Sequence, residues 1–165
     1  MLFRSKSDVV LQLVNATTGK LTSLNLPETS PLGHQDPAWR PDGAVIAYVR
    51  PGRDGSRGAS AIWRYDLKAR KATALTGPGY LQPAWSPDGQ FIAATRSDNF
   101  GTDIVILDGG TGTELLRVTD DGRSFAPTWS PAGNALAFLR VDGAVVDLWQ
   151  VVVQRIGATW APGEE

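Results

Sequence analysis

The chain has 165 residues, 42% of them hydrophobic and 20% charged, and its 16 basic and 17 acidic side chains leave a net charge of −1. That is the composition of a folded domain long enough to bury a core, and its even balance gives no footing for nucleic acid or an anionic membrane surface. With no cysteine in the sequence, disulfides, thiolate metal sites and a cysteine nucleophile are excluded.

The 18 glycines and 11 prolines suit a turn-rich all-β chain. No run approaches the roughly 18 apolar residues of a membrane-spanning helix. Met1-Leu2-Phe3-Arg4-Ser5-Lys6-Ser7-Asp8 lacks the apolar stretch of a signal peptide, so no such leader is expected.

In chain order, Leu2-Phe3-Arg4 closes a short strand and Asp8-Val9-Val10-Leu11-Gln12-Leu13 forms the next. Asn15 to Lys20 is a turn. Asp36-Pro37-Ala38-Trp39-Arg40-Pro41-Asp42-Gly43 ends a strand at its tryptophan and then reverses the chain. A second strand ends at Tyr48-Val49-Arg50, and a third runs over Ala61-Ile62-Trp63-Arg64-Tyr65-Asp66. Ala72 to Thr76 makes a fourth. The series then restarts at Gln82-Pro83-Ala84-Trp85-Ser86-Pro87-Asp88-Gly89, and again at Ala126-Pro127-Thr128-Trp129-Ser130-Pro131-Ala132-Gly133. Its third strands are Asp103 to Asp108 and Asp147 to Val152, and Glu114 to Thr119 is an outer strand. β-Branched and aromatic residues dominate these strands, as packed sheets require.

The tryptophans at 39, 85 and 129 are separated by 46 and then 44 residues. A fixed period of this size signals a repeat architecture. Ser86-Pro87-Asp88-Gly89 fits a type I turn, with Ser first, Pro fixing φ second and Gly fourth. Each copy therefore opens with a hairpin, and four strands per period make one propeller blade. We expect Trp39, Trp85 and Trp129 to be equivalent, buried anchors between neighbouring sheets.

These stretches resemble the TolB-like β-propeller repeat, a relative of the WD repeat with the motif P-x-W-S-P-D-G. The resemblance runs over nearly the whole chain and implies an all-β fold of four-stranded antiparallel blades. We expect a single partial propeller domain over 1–165, with about three and a half repeats at roughly 1–35 (partial), 36–81, 82–125 and 126–165. The resemblance alone leaves function open, since such repeats serve periplasmic scaffolds and peptidase gating domains.

Two departures stand out. Repeat one carries four extra residues between its tryptophan and third strand, within Pro51 to Ser60. Insertions in repeat proteins map to loops, often on a binding face. After Val153 the last repeat shows no outer-strand signature. Ala158-Thr159-Trp160-Ala161-Pro162-Gly163 looks like a degraded tryptophan motif, either a frayed end or the first strand of the N-terminal blade. We expect a longer parent chain, or two chains that complete one ring.

Loops joining second to third strands share a face with those joining one blade to the next. That face would carry Glu28, His34, Asp36, Arg53, Asp54, Arg57, Tyr80, Asp98, Asn99, Asp120, Asp121, Arg123 and Phe125. Function on repeat folds concentrates in such loops. His34 is the only histidine, and a lone histidine in a loop is ordinarily solvated rather than catalytic. Gly122-Arg123-Ser124-Phe125 lacks the strand–turn–helix setting of a nucleophile elbow. Asp98-Asn99 and Asp120-Asp121 lack the ligand spacing of a calcium loop, so turn chemistry is the simpler reading. Arg4, Arg50, Arg96 and Arg140 hold one register, and each is expected to pair with a carboxylate of its own or the next blade, such as Asp8, Asp103 or Asp147.

We therefore assign no catalytic, metal or cofactor residue. The expected function is a non-catalytic module that binds a protein or peptide through its loop face. The alternative is the gating propeller of a prolyl-oligopeptidase-type serine peptidase whose catalytic domain lies outside this chain. A small ligand or cation in the central channel is a third possibility, and it would need a closed ring.

Overall fold

A computed structural model describes residues 11–24, 26, 32–53, 55–156 and 159–162. Among them only the single 3-10 turn at Arg57–Ala59 is helical. The first sheet pairs β1 (Gln12–Val14) with β2 (Leu21–Ser23). The second is β3 (Gln35–Trp39), β4 (Val45–Arg50), β5 (Ala61–Asp66) and β6 (Lys71–Ala74), in that spatial order. The third holds β7 (Tyr80–Trp85), β8 (Phe91–Asp98), β9 (Gly101–Asp108) and β10 (Glu114–Arg117), and the fourth β11 (Ser124–Trp129), β12 (Ala135–Asp142), β13 (Val145–Ile156) and β14 (Thr159–Pro162). Every pairing between these strands is antiparallel. These are propeller blades, with β3, β7 and β11 as the inner strands.

The hairpin turns repeat atom for atom. The N–H groups of Gly43, Gly89 and Gly133 donate to the carbonyls of Arg40, Ser86 and Ser130, each at 2.9 Å. Those glycines sit at φ 72°, 69° and 73°, a region where a Cβ is penalised. In the third sheet, Ser86 Oγ accepts the Phe91 N–H at 3.0 Å and Asp88 accepts the Gln90 N–H at 3.0 Å. This local chemistry explains why the Ser-Pro-Asp-Gly sequence folds as a turn.

No sheet has a core of its own. One apolar cluster joins Val45, Ala47, Val49 and Ile62 of the second sheet to Trp85, Ile92, Ala94, Val105 and Leu107 of the third. Another joins Phe91, Ala93, Ile104 and Ile106 of the third to Leu136, Phe138 and Val153 of the fourth. Trp85 and Trp129 pack back onto the preceding sheet. Trp85 is 8% exposed, and Trp129 Nε1 donates to the Ala84 carbonyl of the sheet before it at 3.1 Å. Trp39 breaks the expected equivalence, being 52% exposed. Ahead of it stand only β1 and β2 among the described residues, and they leave a groove along the indole lined by Leu13, Val14 and Thr22.

The C-terminal segment also departs from expectation. Its described part, Thr159–Pro162, is paired with β13 rather than frayed. β14 is the outer strand of the fourth sheet, with Arg155 opposite Trp160 and Gln154 opposite Ala161. The Trp160 ring lies 5.5 Å from that of Trp129 and meets Phe91 edge-on at 5.1 Å. Burial of this indole against the third sheet fixes the strand where the turn-like sequence did not announce one. Leu2-Phe3-Arg4, expected as a second strand, lies outside the described residues.

A second repeated device lies on the inner strands. Asp36, Gln82 and Ala126 all adopt positive φ, at 49°, 50° and 54°. Each precedes a proline, and each coincides with a register shift in its hairpin. A left-handed non-glycine residue costs about 1–2 kcal/mol, so hydrogen bonds must hold it. The Asp36 carboxylate accepts the backbone N–H of Gln82. Gln82 Oε1 in turn accepts the Ala126 N–H at 3.0 Å and the Thr95 hydroxyl at 2.9 Å. The bulges thus link three sheets along their inner strands.

Two outcomes follow. Trp85→Ala should cost about 3–5 kcal/mol in a denaturant titration, as for other large core truncations, whereas Trp39→Ala should cost less than about 1 kcal/mol. Asp36→Ala should lose about 1 kcal/mol by removing the acceptor for Gln82, and Asp36→Asn, which keeps an acceptor oxygen, should retain most of it. Equal losses for Asp36→Ala and Asp36→Asn would show that the charge matters rather than the hydrogen bond.

Candidate functional site

The bulges re-aim side chains on the inner strands of three sheets, as bulges commonly do. There the structure forms a cavity of about 240 Å³ lined by Gln35, Asp36, Arg57, Leu81, Gln82, Thr95, Thr102 and Phe125. β3 supplies Gln35 and Asp36, β7 supplies Leu81 and Gln82, and β11 supplies Phe125. Arg57 comes from the 3-10 turn inside the insertion of the second sheet. The site therefore draws on three sheets and needs their packing to exist.

Its electrostatics are mixed. Burial pushes the Asp36 carboxyl above the usual carboxylate range, while the Gln82 N–H it accepts pulls it back down. Arg57 is exposed beside it. Leu81 and Phe125 give apolar wall, and Gln35 and Thr102 give neutral donors and acceptors. Such a surface can clamp one charged or polar side chain between an acid and a base, with an aromatic face alongside.

Of the thirteen loop-face positions expected from sequence, Asp36, Arg57 and Phe125 meet in this cavity. Glu28 and Asp54 lie outside the described residues. Arg53, Asn99 and Asp120 are exposed on loops. His34 is not solvated: it is 3% exposed, with its ring edge-on to Tyr48 at 5.3 Å.

The remaining members build the scaffold. The Tyr80 hydroxyl donates to Glu114 Oε2 at 3.0 Å, and burial first, then that carboxylate, raise its pKa. Asp98 accepts the Phe100 N–H at 2.9 Å, and this bond holds its carboxyl below the usual range, helped by Arg117. Asp121 pairs with Arg140 at 3.2 Å, and Arg123 with Asp142 at 3.3 Å. The Ser124 hydroxyl is fully buried and donates to the Asp121 carboxylate at 3.1 Å.

The arginine register is structural: Arg96 and Arg140 each pair with a carboxylate, though not with the Asp103 or Asp147 offered as examples. Arg96 pairs with Glu114 at 2.8 Å rather than with Asp103. Asp103 instead takes Arg117 at 2.6 Å, the Thr119 hydroxyl and the Gly122 N–H. Arg140 pairs with Asp121 and stacks on Trp149 at 4.7 Å, and Arg50 stacks on Trp63 at 5.0 Å. Arg4 lies outside the described residues. Among the described residues, no three His, Asp or Glu side chains cluster to hold a metal ion.

Sequence reasoning missed Gln35, Leu81, Gln82, Thr95 and Thr102, because it looked for loop positions and these lie within strands, as Asp36 and Phe125 also prove to. A signal was present: 36, 82 and 126 share the period of the tryptophans, and each precedes a proline.

No protein-family model and no curated protein matches the chain. Solved structures do. The putative TolB from Agrobacterium tumefaciens superposes with a TM-score of 0.69 at 23% identity, over 96% of this chain and 57% of that one. Oligogalacturonate lyase in complex with manganese gives 0.63 at 18% identity, over 88% of this chain and 41% of its own. The β-propeller domain of the Trilobed protease from Pyrococcus furiosus gives 0.54 at 22%, over 72% and 38%. This chain thus spans little more than half the length of the first and less of the others, and at these identities the likeness is one of fold. By its sheets, its register and these superpositions, the chain has the β-propeller fold.

Proposed function

We propose that the chain is a non-catalytic propeller module that binds a protein or peptide through its loop face. The cavity among Asp36, Arg57, Gln82 and Phe125 carries this reading. Its volume of about 240 Å³ falls below the roughly 300–1,000 Å³ of small-molecule pockets. That size favours one inserted side chain of a partner over a whole metabolite. The neighbouring acid and base, with the Phe125 ring beside them, suit a polar or charged anchor residue.

The same geometry supports the absence of catalysis. His34 and Ser124 are both buried and line no part of the cavity. Enzymes share this fold, but fold alone lends no chemistry to a chain. No described helix is long and apolar enough to cross a membrane.

A random dodecapeptide array probed with the chain tests the reading. For the tightest peptide, Arg57→Glu and Phe125→Ala should each weaken binding about tenfold, near 1.4 kcal/mol. Lys68→Ala, on the opposite loop face, should change nothing. Equal loss in the Lys68 variant, or none in the cavity variants, would contradict the assignment. Ester or peptide turnover that disappears in a His34→Ala, Ser124→Ala double variant would contradict the non-catalytic reading separately.

A further inference from the structure

Arg64 and Arg40, both at the hairpin-turn end of the second sheet, break the repeat. Ala47, Ala93 and Ala137 hold one register, and the residues paired with them are Arg64, Ile106 and Gln150. Ile106 is 0% exposed between the third and fourth sheets, so Arg64 places a cation where the next sheet seals an isoleucine. Its Nε donates to the Thr73 hydroxyl at 3.2 Å, and its Nη1 to the Gly110 carbonyl of the third sheet at 2.9 Å. Both acceptors are neutral. They fix the guanidinium without cancelling its charge and leave its other N–H groups for an outside acceptor.

Arg40 is the second exception. The other turns begin with Ser86 and Ser130, whose hydroxyls accept the N–H groups of Phe91 at 3.0 Å and Ala135 at 3.1 Å. Arg40 gives up that bond, pairs with Asp42 at 2.7 Å and lies over the Trp85 ring at 5.8 Å. Arg40 and Arg64 together line two cavities, of about 340 and 400 Å³. Lys71 adds a cation to the smaller, and Arg155 to the larger, where Phe91 and Leu115 give apolar wall. The acids beside them are engaged. Asp66 accepts the Ala69 N–H at 2.7 Å, and Asp108 the N–H groups of Gly110 at 2.9 Å and Thr111 at 2.7 Å.

We propose that Arg64 and Arg40 form a second binding site, on the turn face, for the carboxylate side chains of an acidic peptide segment. The site stands apart from the loop-face cavity and does not rest on it. A guanidinium matches a carboxylate with two parallel bonds. Each cavity is larger than a single oxyanion needs, and the apolar wall fits the methylene stem of a glutamate. Asp42, Asp66 and Asp108 would repel a dianionic phosphate more than a singly charged carboxylate.

Titration of the chain with fluorescent oligoglutamate at low ionic strength, followed by anisotropy, tests this. Saturable binding is expected, weakening as salt rises. Arg64→Gln should weaken it about tenfold, and Arg64→Lys, which keeps the charge but not the planar fork, should recover only part. Lys71 is exposed, so Lys71→Gln should weaken binding about threefold with an unchanged melting profile. Arg53→Gln, which removes the same charge from the loop face, should change nothing. No saturation at millimolar peptide, or unaltered affinity in Arg64→Gln or Lys71→Gln, would overturn the site and leave Arg64 as a bridge to Gly110. An equal loss in Arg53→Gln would overturn it in favour of net charge alone. Inorganic phosphate that displaces the peptide at equal concentration would overturn the choice of a carboxylate partner.

Discussion

Face-to-face burial between successive sheets is the constraint on which the rest of the structure depends. Ile92, Val105 and Leu107 are sealed only because the second sheet lies over them, and Ile104 and Ile106 only because the fourth does. Each such side chain contributes about 1.5–3 kcal/mol when fully covered. A blade on its own offers two half-faces and no interior. Stability is therefore a property of neighbours, as in other repeat arrays. The exposed Trp39 shows the rule by its failure: the same motif that buries Trp85 leaves an indole half in solvent where only β1 and β2 precede it among the described residues.

The inner-strand bulges translate that packing into a site. Asp36, Gln82 and Ala126 keep a left-handed backbone that isolated residues avoid. The hydrogen bonds that hold them cross from sheet to sheet, so the strained positions stay in place only while the sheets stay packed. Ala126 ends the chain of acceptors, because its methyl cannot receive a further N–H. The cavity is thus assembled by tertiary structure from residues 35 to 125, with Arg57 delivered by the insertion in the second sheet. A partner side chain entering it would contact three sheets at once and would favour their packed arrangement.

Much of the fold was legible because its determinants are local. The Trp-Ser-Pro-Asp-Gly run specifies a turn whose hydrogen bonds lie within six residues, and the 46- and 44-residue spacing counts the sheets. What was not legible depends on neighbours. Trp160 looked like a turn motif, yet it completes the fourth sheet because Trp129 and Phe91 offer it a surface. His34 sat in a Gly- and Pro-containing loop and is buried against Tyr48. The arginine register pointed to ion pairs, but Glu114 and Asp121 won over the carboxylates nearer in sequence. Of the site, Asp36, Arg57 and Phe125 could be read, whereas nothing local distinguishes Gln35, Leu81 or Thr95 from other strand residues.

Native-state hydrogen exchange across the strands tests most directly the claim that burial between sheets holds the molecule together. The account predicts one cooperative unit, with amides of β4, β8, β9 and β12 exchanging last and together, and β1 and β2 exchanging earlier through local opening. Sheets that exchange independently of one another, or protection of β1 and β2 equal to that of β8 and β9, would contradict it.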